Sequence, residues 1–158
     1  MGYRSEVGIR CAIKPEGLVH FYNKLIIAAE KDHGYEDDLQ IAKLPYETFD
    51  DINNIVDTFY NLLADTPLYD IIEDIKTILD EDHQDFIVIE YHSDWIKWYD
   101  DFPWVQFWET ICSDEYDYVL EWSFVRVGED YQDVECRDNC DYTYIEPLFP
   151  TTTIDWGN

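Results

Sequence analysis

The chain has very few positive side chains. Its 158 residues include 10 Lys and Arg against 36 Asp and Glu, which gives a formal net charge of −26. Proteins that bind nucleic acid use clustered Lys and Arg to contact phosphates, so this composition excludes direct nucleic-acid binding. It also excludes electrostatic attraction to an anionic membrane surface. We therefore expect a partner that is itself positively charged.

Glycine, proline and long apolar runs are scarce as well. The chain has six Gly, six Pro and one Met, and it has no low-complexity segment. No apolar run approaches the roughly 20 residues that a membrane span needs. Residues 1–13 lack the apolar stretch of a signal peptide. These absences predict a cytoplasmic protein with no membrane segment.

The chain has four cysteines, and their spacing matches no common zinc motif. Cys136 and Cys140 form a single C-x3-C pair, whereas structural zinc sites usually combine two close pairs of ligands. A reducing cytosol disfavours a structural disulfide. Cys11 and Cys112 are isolated in the sequence. We expect free thiols, no metal and no cofactor.

Motifs of known catalytic sites are missing. The sequence contains no G-x-S-x-G, no phosphate-binding glycine loop and no H-E-x-x-H. Acid–base pairs such as Glu121 with Asp117, or His92 with Asp94, are available, but 36 acidic residues produce such pairs by chance. We therefore expect a protein that is not an enzyme.

What the chain does have is an ample supply of core-forming side chains. It is 46% hydrophobic and 17% aromatic, unlike a disordered acidic tail. Its length predicts a single domain, residues 1–158, that buries about 70% of its unfolded surface. Helices come early and strands come late, which indicates an α+β fold. We expect an antiparallel or mixed sheet of about four to five strands, with helices packed on one face.

Hydrophobic periodicity predicts where these elements lie. The predicted helices run from Lys14–Pro15 to Gly34, from Thr48 to about Leu63, from Thr66–Pro67 to about Leu79, and from Asp101 to about Cys112. In the third of these, Ile75, Ile78 and Leu79 belong to the buried face. The predicted strands are Tyr3–Ile13, Phe86–His92, Trp95–Tyr99, Tyr118–Val127 and Tyr142–Phe149, with a turn at His92–Asp94 and an acidic loop or hairpin connection at Glu129–Asp141.

Acidic residues cluster on surfaces that can imitate a row of phosphates. Carboxylates three or four residues apart on a helix lie about 5–6 Å from each other, and DNA rises about 3.4 Å per nucleotide in each strand. A solvated helix face usually interleaves Lys and Arg, but residues 70–82 contain only Lys76. The candidates in this region are Asp50, Asp51, Asp57, Asp65, Asp70, Glu73, Asp74, Asp80, Glu81 and Asp82. A second row consists of Asp114, Glu115, Asp117, Glu129, Asp130, Asp133 and Glu135.

Three other interpretations remain open. The charge can be a plain solvated surface. The aromatic residues can form a protein-docking surface, with Trp98 and Tyr99 as anchors. A third possibility is a calcium site, because Ca²⁺ takes about six to eight oxygen ligands. Acidic residues crowd one segment, although the EF-hand spacing is absent: Glu129, Asp130, Asp133, Glu135, Asp138 and Asp141.

Three short segments carry a resemblance to a known group of proteins. They are Gly2-Tyr3-Arg4-Ser5-Glu6-Val7, Lys97-Trp98-Tyr99-Asp100-Asp101-Phe102-Pro103 and Arg126-Val127-Gly128-Glu129-Asp130. Together they resemble small, mostly phage-encoded, uncharacterised proteins that begin Met-Gly-Tyr-Arg-Ser. The resemblance implies a phage context and hence the cytoplasm of a host cell. It brings no catalytic residues with it.

A phage context favours one use of the charge. Phages make small acidic proteins that imitate DNA and block restriction enzymes, recombination nucleases or CRISPR effectors, and this chain is similar to them in size and charge. We therefore expect an inhibitor that occupies the basic groove of a host nucleic-acid-binding protein. The alternative is an acidic interaction or assembly module with an aromatic docking surface. A homodimer would extend any acidic surface, and the sequence does not decide whether one forms.

Overall fold

A five-stranded antiparallel sheet forms the centre of the protein, with strand order β2-β3-β1-β4-β5. A computed structural model describes residues 2–32, 75–80, 83–114, 116–130, 132–150 and 154–156. The strands are β1 Ser5–Ile13, β2 Ile75–Asp80, β3 His83–Ile96, β4 Val119–Gly128 and β5 Val134–Asp138. Two short strands, β6 Phe149–Pro150 and β7 Ile154–Asp155, pair separately. The predicted α+β fold with an antiparallel sheet is confirmed.

Two helices pack together over one face of this sheet. Pro15 opens a 3-10 turn, Pro15–Gly17, that leads directly into α1, Leu18–Asp32. Pro103 opens α2, Pro103–Ile111, after Phe102 in an extended conformation. Proline suits the first helical position because the N–H it lacks has no partner there. The predicted helix from Thr48, and the helix from Thr66 as far as residue 74, lie outside the described residues.

The core between helices and sheet is rich in aromatic rings. Strand β1 alternates as predicted, and its buried side chains Val7, Ile9, Cys11 and Ile13 join the residues of α1 and α2 in one apolar cluster. The Trp108 ring lies 5.0 Å from Tyr91 and 6.0 Å from Phe21. Aromatic pairs at such separations add to the free energy gained by burial alone.

Residues 75–80 form a strand, so the predicted third helix is wrong in this stretch. Ile75 is buried and pairs with Tyr91, whereas Ile78 is 36% exposed. Residues three apart share a face of a helix but lie on opposite faces of a strand. A short apolar run rich in β-branched residues fits either a helical or a strand periodicity. Hydrogen-bonded pairing with β3 makes residues 75–80 a strand. Asp80 consequently ends β2 and does not continue a helical row of carboxylates.

The turn predicted at His92–Asp94 does not form, because β3 continues through it to Ile96. Gly8 pairs with His92 and Val7 pairs with Ser93, so β1 supplies hydrogen-bond partners through this polar stretch. The register shifts between Ser5 and Val7, where two residues of β3 oppose one of β1. The polar residues at 92–94 that indicated a turn instead lie at a β-bulge within β3.

The two predictions for the C-terminal third also need correction. The acidic connection Glu129–Asp141 contains an edge strand, β5, and the predicted strand Tyr142–Phe149 is irregular up to residue 148. A strand needs backbone donors for a neighbouring ladder, and Pro147 has none. The N–H groups of several residues here bind side chains of β4 instead.

A buried carboxylate fastens this irregular segment to the sheet. Glu121 is 3% exposed, and its oxygens accept hydrogen bonds from the backbone N–H of Asp141 at 2.9 Å, Tyr144 at 2.8 Å and Ile145 at 3.0 Å. The Ser123 hydroxyl accepts the N–H of Leu148 at 2.9 Å. Hydrogen bonds to a charged acceptor are stronger than neutral ones. Side chains of β4 therefore hold residues 141–148 against the sheet.

Arg10 makes a second attachment on the same face. Its guanidinium donates to Glu90 at 2.8 Å and to the backbone oxygens of Glu146 at 3.0 Å and Trp156 at 2.7 Å. The guanidinium also lies 5.4 Å from the centre of the Trp156 ring. This arginine thus joins the central strand to the segment that covers it.

We predict that Glu121→Ala lowers the free energy of unfolding by about 2–4 kcal/mol, because three backbone donors lose a buried acceptor. Glu121→Gln should cost less, since its oxygen can still accept from Tyr144 and Ile145. Urea unfolding measures both losses as midpoint shifts.

Glu146→Ala is the matched control, because Glu146 is exposed and uses its backbone oxygen to bind Arg10. It should change stability by less than about 0.5 kcal/mol. Equal losses for the Glu121 and Glu146 variants would contradict the role of the buried carboxylate.

Candidate functional site

Most residues of the first predicted acidic row lie outside the described part of the chain. These are Asp50, Asp51, Asp57, Asp65, Asp70, Glu73, Asp74, Glu81 and Asp82. The backbone of Asp80 lies at the end of β2, where it pairs with His83. The role of this row as a phosphate imitation stays a prediction. Of the second row, Glu115 lies outside the described residues, and Glu129, Asp130, Asp133 and Glu135 lie in or beside β5.

One arginine holds two acidic residues of the second row. Arg126 donates to both carboxylate oxygens of Asp133, at 2.8 and 3.0 Å, and to Glu135 at 3.0 Å. The Tyr3 hydroxyl donates to Asp133 at 2.7 Å. The Arg126 guanidinium, and after it the Tyr3 hydroxyl, lowers the pKa of Asp133. Arg126 therefore compensates the charge of Asp133 and Glu135 within the protein.

Gly128 makes this packing feasible. Its N–H donates to the backbone oxygen of Asp133 at 2.8 Å, and any Cβ at this position would collide with the Tyr3 hydroxyl and the Asp133 carboxylate. A glycine here therefore allows Tyr3, Arg126 and Asp133 to meet at the turn between β4 and β5.

Four other carboxylates stay exposed while the backbone fixes their direction. We call this group, Glu129, Asp130, Asp138 and Asp141, the acidic edge. One oxygen of each accepts a backbone N–H, at distances between 2.8 and 3.0 Å. Among the described residues, none of the four takes part in an ion pair. They flank or end β5, the last strand of the sheet.

The predicted aromatic anchors lie partly in the core. The Trp98 ring lies 6.0 Å from Phe124 and packs against the apolar cluster. Tyr99 contacts Phe102 at 5.2 Å between ring centres. Their role in docking stays a prediction. Among the described residues the most exposed rings are Trp95, which lies close to these two in the sequence, and Tyr142 and Phe149, which the sequence did not single out.

One of the two acid–base pairs noted in the sequence does come together. His92 Nε2 lies 3.3 Å from Asp94 Oδ1 and 2.8 Å from Glu6 Oε2. Glu6 was missed because it comes from the neighbouring strand, and its only sequence signal is its place on the polar side of β1. In the other pair, both carboxylate oxygens of Glu121 accept hydrogen bonds from backbone N–H groups. These hydrogen bonds give Glu121 a structural role.

The acidic segment does not form the cluster that a calcium site would need. Among the described residues, Glu6, His92 and Asp94 are the one group of three possible ligands whose binding atoms lie within 4.8 Å of one another. Asp133 and Glu135 face Arg126, and Asp138 and Asp141 bind nearby backbone. The calcium interpretation therefore finds no support in the geometry of these residues.

The cysteines are four free thiols. Burial raises the pKa of Cys11 to about 12, and burial with nearby carboxylates raises the pKa of Cys140 to about 12. Cysteine reacts through its thiolate, so these two thiols are poor nucleophiles at neutral pH.

In the part of the chain that the structure covers, no helix has the length and apolar character needed to cross a membrane. Compared with known proteins, the chain matches no protein-family model, no curated protein and no solved structure. Its own geometry and charge therefore carry the functional argument.

We predict that Arg126→Ala raises the pKa of Asp133 toward that of an ordinary aspartate, as measured by NMR titration of the side-chain carboxyl carbon. A carboxyl with a lowered folded-state pKa stabilises the protein above its unfolded pKa of about 3.9, and this contribution is lost as the pH falls through the folded value. The acid side of the stability curve should therefore flatten in the variant.

Arg137→Ala provides the control for this experiment. Arg137 lies on the neighbouring strand β5, but it binds Glu109 of α2 at 3.0 Å. Its removal should leave the Asp133 titration where it is. An unchanged Asp133 pKa in Arg126→Ala would show that the guanidinium does not hold this carboxylate.

Proposed function

We propose that this protein is a phage-derived, non-enzymatic inhibitor that imitates nucleic acid and occupies the basic groove of a host defence or DNA-processing protein. Its site of action is the cytoplasm of the host cell. The partner is a nucleic-acid-binding protein of the restriction, CRISPR or nuclease type.

The acidic edge is the observation that carries this proposal. A ligand that is held in its bound conformation loses less entropy on binding. In the acidic edge, backbone N–H groups orient Asp130, Asp138 and Asp141 while leaving the side chains exposed. These hydrogen bonds are Asx turns, which stabilise the turns beside β5 and also hold the three exposed carboxylates in fixed positions on the backbone.

The placement of the arginines supports the same proposal. Arg10 binds Glu90, Arg126 binds Asp133 and Glu135, and Arg137 binds Glu109. These pairs tie elements of the fold together, so three of the ten basic residues do not compensate the other carboxylates. Among the described residues, the carboxylates of the acidic edge are therefore left without a partner cation and face the surroundings.

The mechanism follows from these charges. A strongly negative body attracts a basic groove over long range and accelerates the encounter. The carboxylates of the acidic edge, which flank or end β5, then take the places of phosphates, and the groove is no longer open to its substrate.

A second candidate function rests on the exposed rings. Trp95 is 57% and Tyr142 66% exposed, and exposed aromatic side chains are frequent anchors of protein interfaces. The protein would then be an interaction or assembly module in which the acidic residues serve solubility. Binding through rings would depend little on salt.

The first experiment is a pull-down from bacterial lysate with the tagged full chain, at low and at high salt, read by mass spectrometry. The proposal predicts one dominant basic nucleic-acid-binding protein that elutes with salt or with competing DNA. A specific partner that survives high salt and ignores DNA would favour the aromatic module instead and overturn the mimicry.

We predict that the combined variant Asp130→Asn, Asp138→Asn and Asp141→Asn weakens this partner's binding by at least about tenfold at low salt, since each lost ion pair contributes up to about 1 kcal/mol. The amide oxygens can still accept the backbone hydrogen bonds, so the fold should survive. The slope of log affinity against log salt should fall by about one for each lost contact.

A second triple variant separates local contacts from net charge. Glu16→Gln, Asp100→Asn and Asp101→Asn change three exposed acidic residues outside the acidic edge and remove the same charge. This control should bind nearly as well as the unmodified protein. A third triple, Asp70→Asn, Glu73→Gln and Asp74→Asn, tests the row predicted from the sequence. If all three variants lost the same affinity for the partner, or if none of them lost any, a defined phosphate-like surface would be refuted.

A further inference from the structure

Three side chains with metal-binding groups meet on the face of the sheet opposite the helices. Glu6 belongs to β1, and His92 and Asp94 belong to the adjacent strand β3. In this register Gly8 pairs with His92, and the β-bulge that follows Ser93 brings two residues of β3 opposite Glu6. Rigid strands, not a mobile loop, therefore position Glu6 and His92.

The separations are close to those of a tetrahedral metal site. With Zn–N and Zn–O bonds of about 2.0–2.2 Å, neighbouring ligand atoms lie about 3.4 Å apart. His92 Nε2 and Asp94 Oδ1 are 3.3 Å apart, and His92 Nε2 and Glu6 Oε2 are 2.8 Å apart. All three ligand atoms lie within 4.8 Å of one another. Small rotations of the two carboxylates would therefore complete the geometry.

The arrangement is one that a cation stabilises. Two carboxylates approach the same imidazole nitrogen, which makes a hydrogen bond with Glu6 at 2.8 Å, and like charges that face each other across strands destabilise a sheet. A metal ion would take the place of the proton in this hydrogen bond. A bound divalent ion would satisfy both carboxylates and the nitrogen lone pair together. The overall charge of −26 raises the local concentration of such ions.

The donor set favours zinc over calcium or magnesium. Imidazole nitrogen and carboxylate oxygen are both ligand types that zinc accepts, and zinc sites with three protein ligands leave a fourth position to water. Calcium needs about six to eight oxygens, and magnesium prefers oxygen ligands in an octahedron. The 86% exposure of the Asp94 side chain leaves this side open for water or an incoming group.

The surroundings restrict the imidazole. The Trp156 ring stands edge-on to His92 with 5.5 Å between ring centres. Trp156 is in turn held by Arg10, which binds its backbone oxygen at 2.7 Å and lies over its ring. Packing that fixes the orientation of a ligand side chain strengthens a metal site.

We propose that Glu6, His92 and Asp94 bind one divalent transition-metal ion, for which Zn²⁺ is the best-fitting probe. The site lies on β1 and β3, whereas the acidic edge surrounds β5. Zinc binding is therefore independent of the proposed inhibitor function, and neither proposal depends on the other.

The test is calorimetric titration of the metal-free full chain with Zn²⁺ at neutral pH, with Ca²⁺ and Mg²⁺ in parallel. The proposal predicts one tight Zn²⁺ per chain, much weaker heats with the other two ions, and a higher melting temperature in the presence of Zn²⁺. Replacement of Zn²⁺ by Co²⁺ should give the visible absorption bands of a four-coordinate site with nitrogen and oxygen ligands.

Two variants and two controls make the test specific. His92→Ala and Glu6→Gln should weaken Zn²⁺ binding at least about 100-fold, beyond the loss usual for residues that merely support a ligand. His20→Ala removes a histidine of α1, on the other side of the sheet, and Glu16→Gln removes an exposed charge; both should bind Zn²⁺ normally. Circular dichroism checks that each variant is folded.

The proposal fails if both site variants bind Zn²⁺ as the unmodified chain does. It also fails if Zn²⁺, Ca²⁺ and Mg²⁺ bind alike, because that result identifies diffuse attraction to an acidic surface. Neither outcome involves a nucleic-acid-binding partner, so neither of them tests the proposed inhibitor function.

Discussion

Uncompensated negative charge is the constraint under which this chain folds. Self-repulsion on this scale opposes a compact state, and three arginines bind carboxylates within the fold. Arg10 and Arg126 are 12% exposed at their side chains. Arg10 also binds the backbone of Glu146 and Trp156. Arg126 also binds the Ser5 hydroxyl. Partly buried pairs are less screened than surface pairs. A small number of arginines can therefore hold together a surface that would otherwise repel itself.

The two faces of the sheet solve the packing problem in different ways. One face buries aromatic rings of β3, α1 and α2, with Trp104, Trp108 and Tyr91 at its centre. The other face combines a small apolar cluster around Val125 and Leu148 with polar side chains such as Glu121 and Ser123, which bind the backbone of the segment that covers it. Burial of apolar side chains stabilises the first face. The second depends on satisfying every buried polar group.

The sequence predicted well what depends on local periodicity and poorly what depends on pairing between distant strands. The alternation in β1 and the proline-led starts of the helices are local signals, and both are confirmed. Residues 75–80 and 92–94 were misread because pairing with a neighbouring strand overrides a short local pattern. The acidic composition of residues 129–141 pointed to a charged surface. It could not tell that Arg126 neutralises Asp133 while Asp130 stays exposed, because that depends on which side chains meet in space.

The edge strand β5 has a consequence for the behaviour of the protein in concentrated solution. All five of its residues are exposed, and an open strand edge is a template on which a second chain can pair. The carboxylates of the acidic edge, which flank or end β5, give this edge a net negative charge, so the edges of two molecules repel each other. The same carboxylates thereby protect the open edge against aggregation, and this protection weakens as ionic strength rises.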